Sequence, residues 1–221
     1  TDSSLREAEY HKAIKKWISL GYPIIFCENS NYDSAIINEE IKGLNHEKFE
    51  YLKFTSSVSH LGKGYGEAEI IDYTLKNSKL IKDDTIICKM TGKNYVTNAK
   101  VILRKLLASP HRGDMVTAIL GRNLTIADSR FFFFKRNFYL KYWINIIPEI
   151  DEPNKVYIEH TLARAIHIAI AKGERWSLLP ELPIIEGFSG TYAKPYKNKI
   201  LHTVLNKFYY LIVLKAVSGK R

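Results

Sequence analysis

Lys89, Thr91 and Lys93 close the stretch TIICKMTGKN, residues 85–94, and are the residues of this chain best equipped to hold an anion. Two ammonium groups, a hydroxyl and the amide of Gly92 fall within five residues. Charged donors of this kind bind phosphate oxygens strongly. Residues 85–88, just before them, are β-prone and mostly apolar. They predict a buried strand, central in its sheet and covered on both faces. Ligands of open α/β sheets sit at the carboxyl ends of such strands. A sheet strand with solvated lysines at its end is the competing account of the same residues.

Other candidates are spread along the chain. Gly62, Lys63, Gly64, Tyr65, Gly66 and Glu67 open a helix whose apolar face is Ala68, Ile71 and Leu75. Glycines let a backbone approach a ligand, and a helix N-terminus favours anions. The spacing matches neither the P-loop nor the dinucleotide fingerprint, and a flexible helix start accounts for the glycines equally well. Asp128 and Arg130 stand together before the aromatic run 131–143, in which basic residues alternate with rings. Such a run can stack bases, line a sugar pocket or pack a core; of four consecutive phenylalanines at least half are expected to be structural. Glu159 and His160 fall in the first turn of a helix read from Ile158, Leu162, Ala165, Ile166, Ala169 and Ile170. The helix dipole alone favours a carboxylate there.

The elements that must position these residues follow from periodicity. A helix carries Tyr10, Ala13, Ile14, Trp17 and Ile18 on one face and stops at Gly21 and Pro23. Strand 23–27 ends in Glu28, Asn29 and Ser30. A short helix at 34–41 and a strand at 49–54 precede the glycine-rich helix. After the lysine corner come a helix through Ala99, Ile102, Leu103, Leu106 and Leu107, stopped near Pro110, and strands at 115–120 and 184–189. This order predicts an α/β fold. A chain that opens on the helix of a βαβ unit is expected to carry a further strand ahead of Thr1. The last helix, 198–217, is apolar around 208–214 and flanked by lysines. It suits an amphipathic segment on an anionic membrane surface, or docking on the core or a partner subunit.

The 221 residues, 46% apolar and 25% charged, are enough for one large α/β domain. A net charge of +10 calls for an acidic partner: nucleic acid, anionic lipid or a phosphorylated small substrate. Cys27 and Cys88 lie in apolar strand patterns and read as buried thiols of a reducing compartment. No cluster at zinc spacing occurs, nothing reads as a signal peptide, and no apolar run approaches the roughly 20 residues of a membrane span.

Four segments, in this order, resemble bacterial glycosyltransferases that build capsule or O-antigen polysaccharide from nucleotide sugars. They are the opening helix running into IIFCENSNYD; GKGYGEAEIIDY; IICKMTGKNYVTN; and ADSRFFFF with VYIEH, followed by EGFSGTY. Together they cover most of residues 5–192. The resemblance implies a GT-A-like fold over 1–195, a Rossmann-related mixed sheet flanked by helices, with 196–221 as an amphipathic C-terminal helix. It places Glu28, Asn29 and Ser30 near the nucleoside, and Lys63 and Gly64 beside the nucleotide. Lys89, Thr91, Gly92 and Lys93 then occupy the place where many such enzymes carry an Asp-x-Asp metal site. The two carboxylates are absent here. Lysines can supply comparable charge, so transfer without a metal cofactor is expected. Asp128 beside Arg130 makes a poor magnesium or manganese site; the pair is expected to orient phosphates or sugar. Glu159 is the expected general base, with His160 in reserve and Asp128 and Glu186 as further alternatives. The implied partners are a nucleotide sugar, UDP-linked, a glycan or lipid-linked glycan acceptor, and an anionic membrane surface at the inner face of the cytoplasmic membrane. Nucleic acid is not an expected partner, although a nucleic-acid-binding protein using the basic aromatic run is the alternative function. A non-catalytic membrane or scaffold protein is the third.

Overall fold

The computed structural model describes residues 3–45, 47–108, 115–121, 123–187 and 210–213. The expected C-terminal helix 198–217 lies outside them except for 210–213, which are helical. The helix stop near Pro110, the last two residues of the strand expected at 184–189, and any strand ahead of Thr1 also lie outside them.

The chain is α/β. Helix α1, Ser3–Ile18, leads through a turn at Gly21 into strand β1, Ile24–Glu28. Ser34 then caps α2, Ala35–Ile41, its hydroxyl accepting the Ile37 N–H at 3.1 Å. Strand β2, Phe49–Lys53, returns parallel to β1. Helix α3, Lys63–Asn77, buries Ala68, Ile71 and Leu75, the face its periodicity predicts. Strand β3, Ile86–Met90, and β4, Tyr95–Val96, follow, then α4, Ala99–Ala108.

The second half adds β5, Val116–Thr117; a hairpin of β6, Leu120–Gly121, and β7, Ile126–Ala127; and β8, Phe131–Lys135. A short turn α5, Arg136–Phe138, runs on as a π-helix over Tyr139–Trp143. Helix α6, Ile158–Ala171, then β9, Trp176–Ser177, and β10, Ile185–Glu186, complete the order. The larger sheet has the order β3-β8-β5-β9. β8 is antiparallel to both neighbours and β9 is parallel to β5. β1 with β2, β4 with β10, and β6 with β7 form separate pairs.

Several expectations need correction. The strand before the lysine corner is Ile86–Met90 rather than 85–88, and it is an edge strand. Every residue in it is only half-buried, because one of its two edges pairs with β8 and the other pairs with no strand among the described residues. The strand buried on both faces is β8. Phe131, Phe132, Phe133 and Phe134 are all buried. Alternation sends Phe131 and Phe133 to a core with Ile102, Leu106 and Leu179, and Phe132 and Phe134 to one with Trp143, Leu162 and Ile71. All four are therefore structural. The strand expected at 115–120 is two, since β5 pairs with β8 and β9 whereas β6 turns away to β7. The strand expected at 184–189 is described only as β10. Leu107 and Ile170, read as helix-face residues, are exposed.

Candidate active site

The carboxyl end of β3, the first turns of α3 and α6, and the loop 128–130 meet at one place. Lys89 links them. Its ammonium donates to the Glu67 carboxylate of α3 and, at 2.6 Å, to the carbonyl of Ser129. The same Ser129 donates its hydroxyl to Glu159 Oε1 on α6 at 3.0 Å. Ser129 is 3% exposed and the Lys89 side chain 10%, so water competes little for these bonds. Thr91 Oγ1 lies 3.5 Å from the ammonium, a marginal contact. One sheet-end cation and one helix-start carboxylate are thus held from the two sides of a single serine.

Sequence reasoning singled out Lys89 and Glu159 and gave no role to Glu67 or Ser129. The signal for both was local. Glu67 is the last residue of GKGYGE, one turn into α3, and Ser129 lies between Asp128 and Arg130. The Arg130 guanidinium makes a two-pronged contact with Asp128, at 2.8 and 2.7 Å, and its backbone N–H also donates to that carboxylate. This is the pairing the sequence predicts. Lys93 behaves differently. It turns to Glu9 of α1 at 4.0 Å, away from Lys89. Gly92 is packed against Tyr10 and Phe26; a Cβ there would come within 2.7 Å of the Tyr10 ring. The two lysines expected to hold one anion are therefore one embedded lysine and one directed at α1, and each faces a glutamate.

The glycine-rich start of α3 already holds a negative charge. Glu152, in the turn before α6, accepts the Gly64 N–H at 2.6 Å and lies over Gly62, where φ is +130° and a Cβ would meet its carboxyl carbon at 2.7 Å. The helix N-terminus attracts an anion as expected, and the anion is the chain's own. Gly64 also approaches Ile158, which brings the starts of α3 and α6 together. Lys63 belongs to the same turn.

Glu28 ends β1 and is 9% exposed; the N–H and hydroxyl of Ser30 both donate to it, at 3.0 and 2.7 Å. The Asn29 amide lies 3.3 Å from the Cβ position of Gly66, which places the end of β1 beside the start of α3. The His160 Nδ1 accepts the Tyr157 N–H at 3.0 Å, closing the first turn of α6, so this histidine is tied to helix capping. Glu186 accepts from the Tyr95 hydroxyl across the β4–β10 pair, and this bond, with burial and the carboxylate charge, pushes the phenol up to about 12. Glu186 thus has its own partner on the β4–β10 pair. Burial pushes both thiols up, Cys27 in β1 and Cys88 in β3, so neither is a ready nucleophile. Among the described residues no group of three or more His, Cys, Asp or Glu side chains converges as a metal site would require. None of the described helices is long and apolar enough to cross a membrane.

The class that the fold defines is an α/β protein with a polar cluster at the carboxyl end of a sheet strand. Comparison with protein-family models, curated proteins and solved structures found no significant match, so geometry carries the functional reading.

Proposed function

We propose that the chain is a nucleotide-sugar glycosyltransferase of GT-A-like fold, acting on a glycan or lipid-linked glycan acceptor in surface polysaccharide synthesis. The observation that carries this reading is the Lys89–Ser129–Glu159 connection, which sets a cation and a carboxylate around one point at a sheet's carboxyl end. The donor, UDP-linked in this reading, lies with its diphosphate toward Lys89 and Arg130. Glu28 and Ser30 flank the nucleoside.

The chemistry needs little more. The acceptor hydroxyl attacks the anomeric carbon and its proton passes to Glu159. The bond from that carbon to the diphosphate oxygen breaks, and its electron pair leaves with the phosphate. Lys89 and Arg130 stabilise the charge that develops. Each cation is balanced by a carboxylate in this state, Lys89 by Glu67 and Arg130 by Asp128. Donor binding therefore exchanges existing partners for phosphate oxygens. The reading keeps the transfer metal-independent and the protein peripheral on the inner membrane face.

Melting the protein with and without UDP-sugars tests the reading. A donor at about 100 times its Kd stabilises the native state by about 2.7 kcal/mol. No shift with any nucleotide sugar, alongside a shift with single-stranded RNA or DNA, would favour the nucleic-acid reading.

A further inference from the structure

The strands β1 and β3 present two backbone edges to the same gap. In the parallel β1–β2 pair, the Ile24 N–H donates to the Lys48 carbonyl and the Glu28 carbonyl accepts from the Phe54 N–H, so the even-numbered residues of β1 bond to β2. The N–H and C=O groups of Ile25 and Cys27 then point the other way. In the antiparallel β3–β8 pair, the Lys135 N–H donates to Met115, on the far side from β3. Its partner Ile86 is accordingly a non-bonded pair, and so are Cys88 and Met90. The backbone groups of Ile86, Cys88 and Met90 therefore point away from β8. Among the described residues, neither of these edges is paired with a strand.

The two edges belong to one structure. On one face, α1 reaches both: Tyr10 stands edge-on to Phe26 of β1, and Trp17 stacks on Phe131, the β8 partner of Met90, in the core that Ile86, Cys88 and Met90 also border. On the other face, α3 does the same. Gly66 of α3 lies against Asn29 at the end of β1, and Ala68, Ile71 and Leu75 share one core with Phe132 and Phe134, against which Ile87 packs. The strands also run the same way. Asn29, just past β1, meets Gly66, and Lys89, near the end of β3, meets Glu67, so both carboxyl ends lie at the start of α3.

We propose that one further β-strand enters between β1 and β3, parallel to both, and that it is the segment of the natural polypeptide leading into α1. The start of α1 stands over the carboxyl ends of these strands: Glu7 bonds Ser34, Glu9 faces Lys93 and Tyr10 touches Gly92. A strand running parallel to β1 and β3 delivers the chain to that point. Strand, α1 and β1 then form one crossover between neighbouring parallel strands, the commonest arrangement of such elements. Helices cover both faces, so the strand's side chains are apolar on both sides. It satisfies the five outward-facing residues and turns β3 from an edge into an interior strand, fixing Lys89 at its end. This inference rests on the sheet edges alone and is independent of the glycosyltransferase reading.

The test compares three proteins: the 221-residue chain, that chain with Val-Ile-Val-Ile-Val joined to Thr1 by a short Gly-Ser linker, and the same fusion with proline at the alternate positions; the added strand matches the five residues of β1 and β3. Amide hydrogen exchange is read at Ile25, Cys27, Ile86, Cys88 and Met90, with Phe26 and Lys89, which bond to β2 and β8, as internal controls. The valine-rich fusion slows the five amides by on the order of 100-fold or more while the controls change less, because an open edge becomes a ladder that opens only with the sheet. It also raises Tm, and the proline fusion does neither. Protection of the five amides in the unmodified chain, independent of its concentration, overturns the proposal, since the two edges are then already closed. Protection that grows with concentration overturns it in favour of a second copy as the occupant. Unchanged exchange in the valine-rich fusion overturns it outright. Since the readout needs no nucleotide sugar, its failure is distinct from failure of the proposed activity.

Discussion

The hydroxyl of Ser129 donates to Glu159 at 3.0 Å while its carbonyl accepts from Lys89 at 2.6 Å. The hydrogen bond fixes which oxygen of Glu159 faces the cluster. If Glu159 is the general base, Glu159→Gln lowers kcat by roughly 100-fold or more with donor affinity little changed. Ser129→Ala lowers kcat less, because the carboxylate loses the donor that orients it but remains in place. Near wild-type turnover in Glu159→Gln, measured by steady-state kinetics, removes the assignment.

Lys89 and Glu67 form a half-buried pair. Lys89→Ala leaves the Glu67 carboxylate and the Ser129 carbonyl without their donor and costs on the order of 1–3 kcal/mol in urea unfolding. Lys89→Met combined with Glu67→Gln recovers part of that loss, since the uncompensated charge is gone. A double variant no better than the single one shows that the pair is not coupled.

The two lysines of the corner are not equivalent. Lys89 is embedded in the cluster and Lys93 faces α1. Lys89→Ala raises the donor KM more than Lys93→Ala does, by tenfold or more for each ~1.4 kcal/mol of lost phosphate contact. Equal effects contradict the placement of the donor at Lys89.

Glu69 tests the electrostatics of α3 independently of the site. Burial raises its pKa, but donors from Ser56 and Ser57 more than offset this, and the net shift is downward from 4.5. A carboxylate with a depressed folded pKa contributes stability above its unfolded value, and that contribution is lost as pH falls through the folded value. The Tm difference between wild type and Glu69→Gln is therefore full at pH 6 and shrinks below about pH 4.5. A difference independent of pH assigns the loss to packing.

Amphipathic period was the part of the fold most legible in the sequence. Ala68, Ile71 and Leu75 are buried on α3, and Ile158, Leu162, Ala165 and Ile166 on α6, as their spacing requires. Strand rank was not legible. Phe131–Lys135 and Ile86–Met90 are both apolar runs, and only pairing shows that the first is interior and the second an edge. Within the site, Lys89 and Glu159 were visible as chemistry-bearing residues at element ends. Glu67, Ser129 and Glu152 were not, because their roles come from partners 22, 30 and 88 residues away. Local spacing carries no information about such pairs.

A donor site at Lys89 and Glu159 is tested most directly by turnover of a nucleotide-sugar panel in excess EDTA, on the 221-residue chain and its valine-rich fusion. The expected result is hydrolysis or transfer from one donor, undiminished by the chelator and lost in Glu159→Gln. Activity abolished by EDTA and restored by manganese contradicts the metal-independent mechanism and makes Asp128 the first ligand to examine. Turnover of no nucleotide sugar by either protein contradicts the glycosyltransferase reading itself.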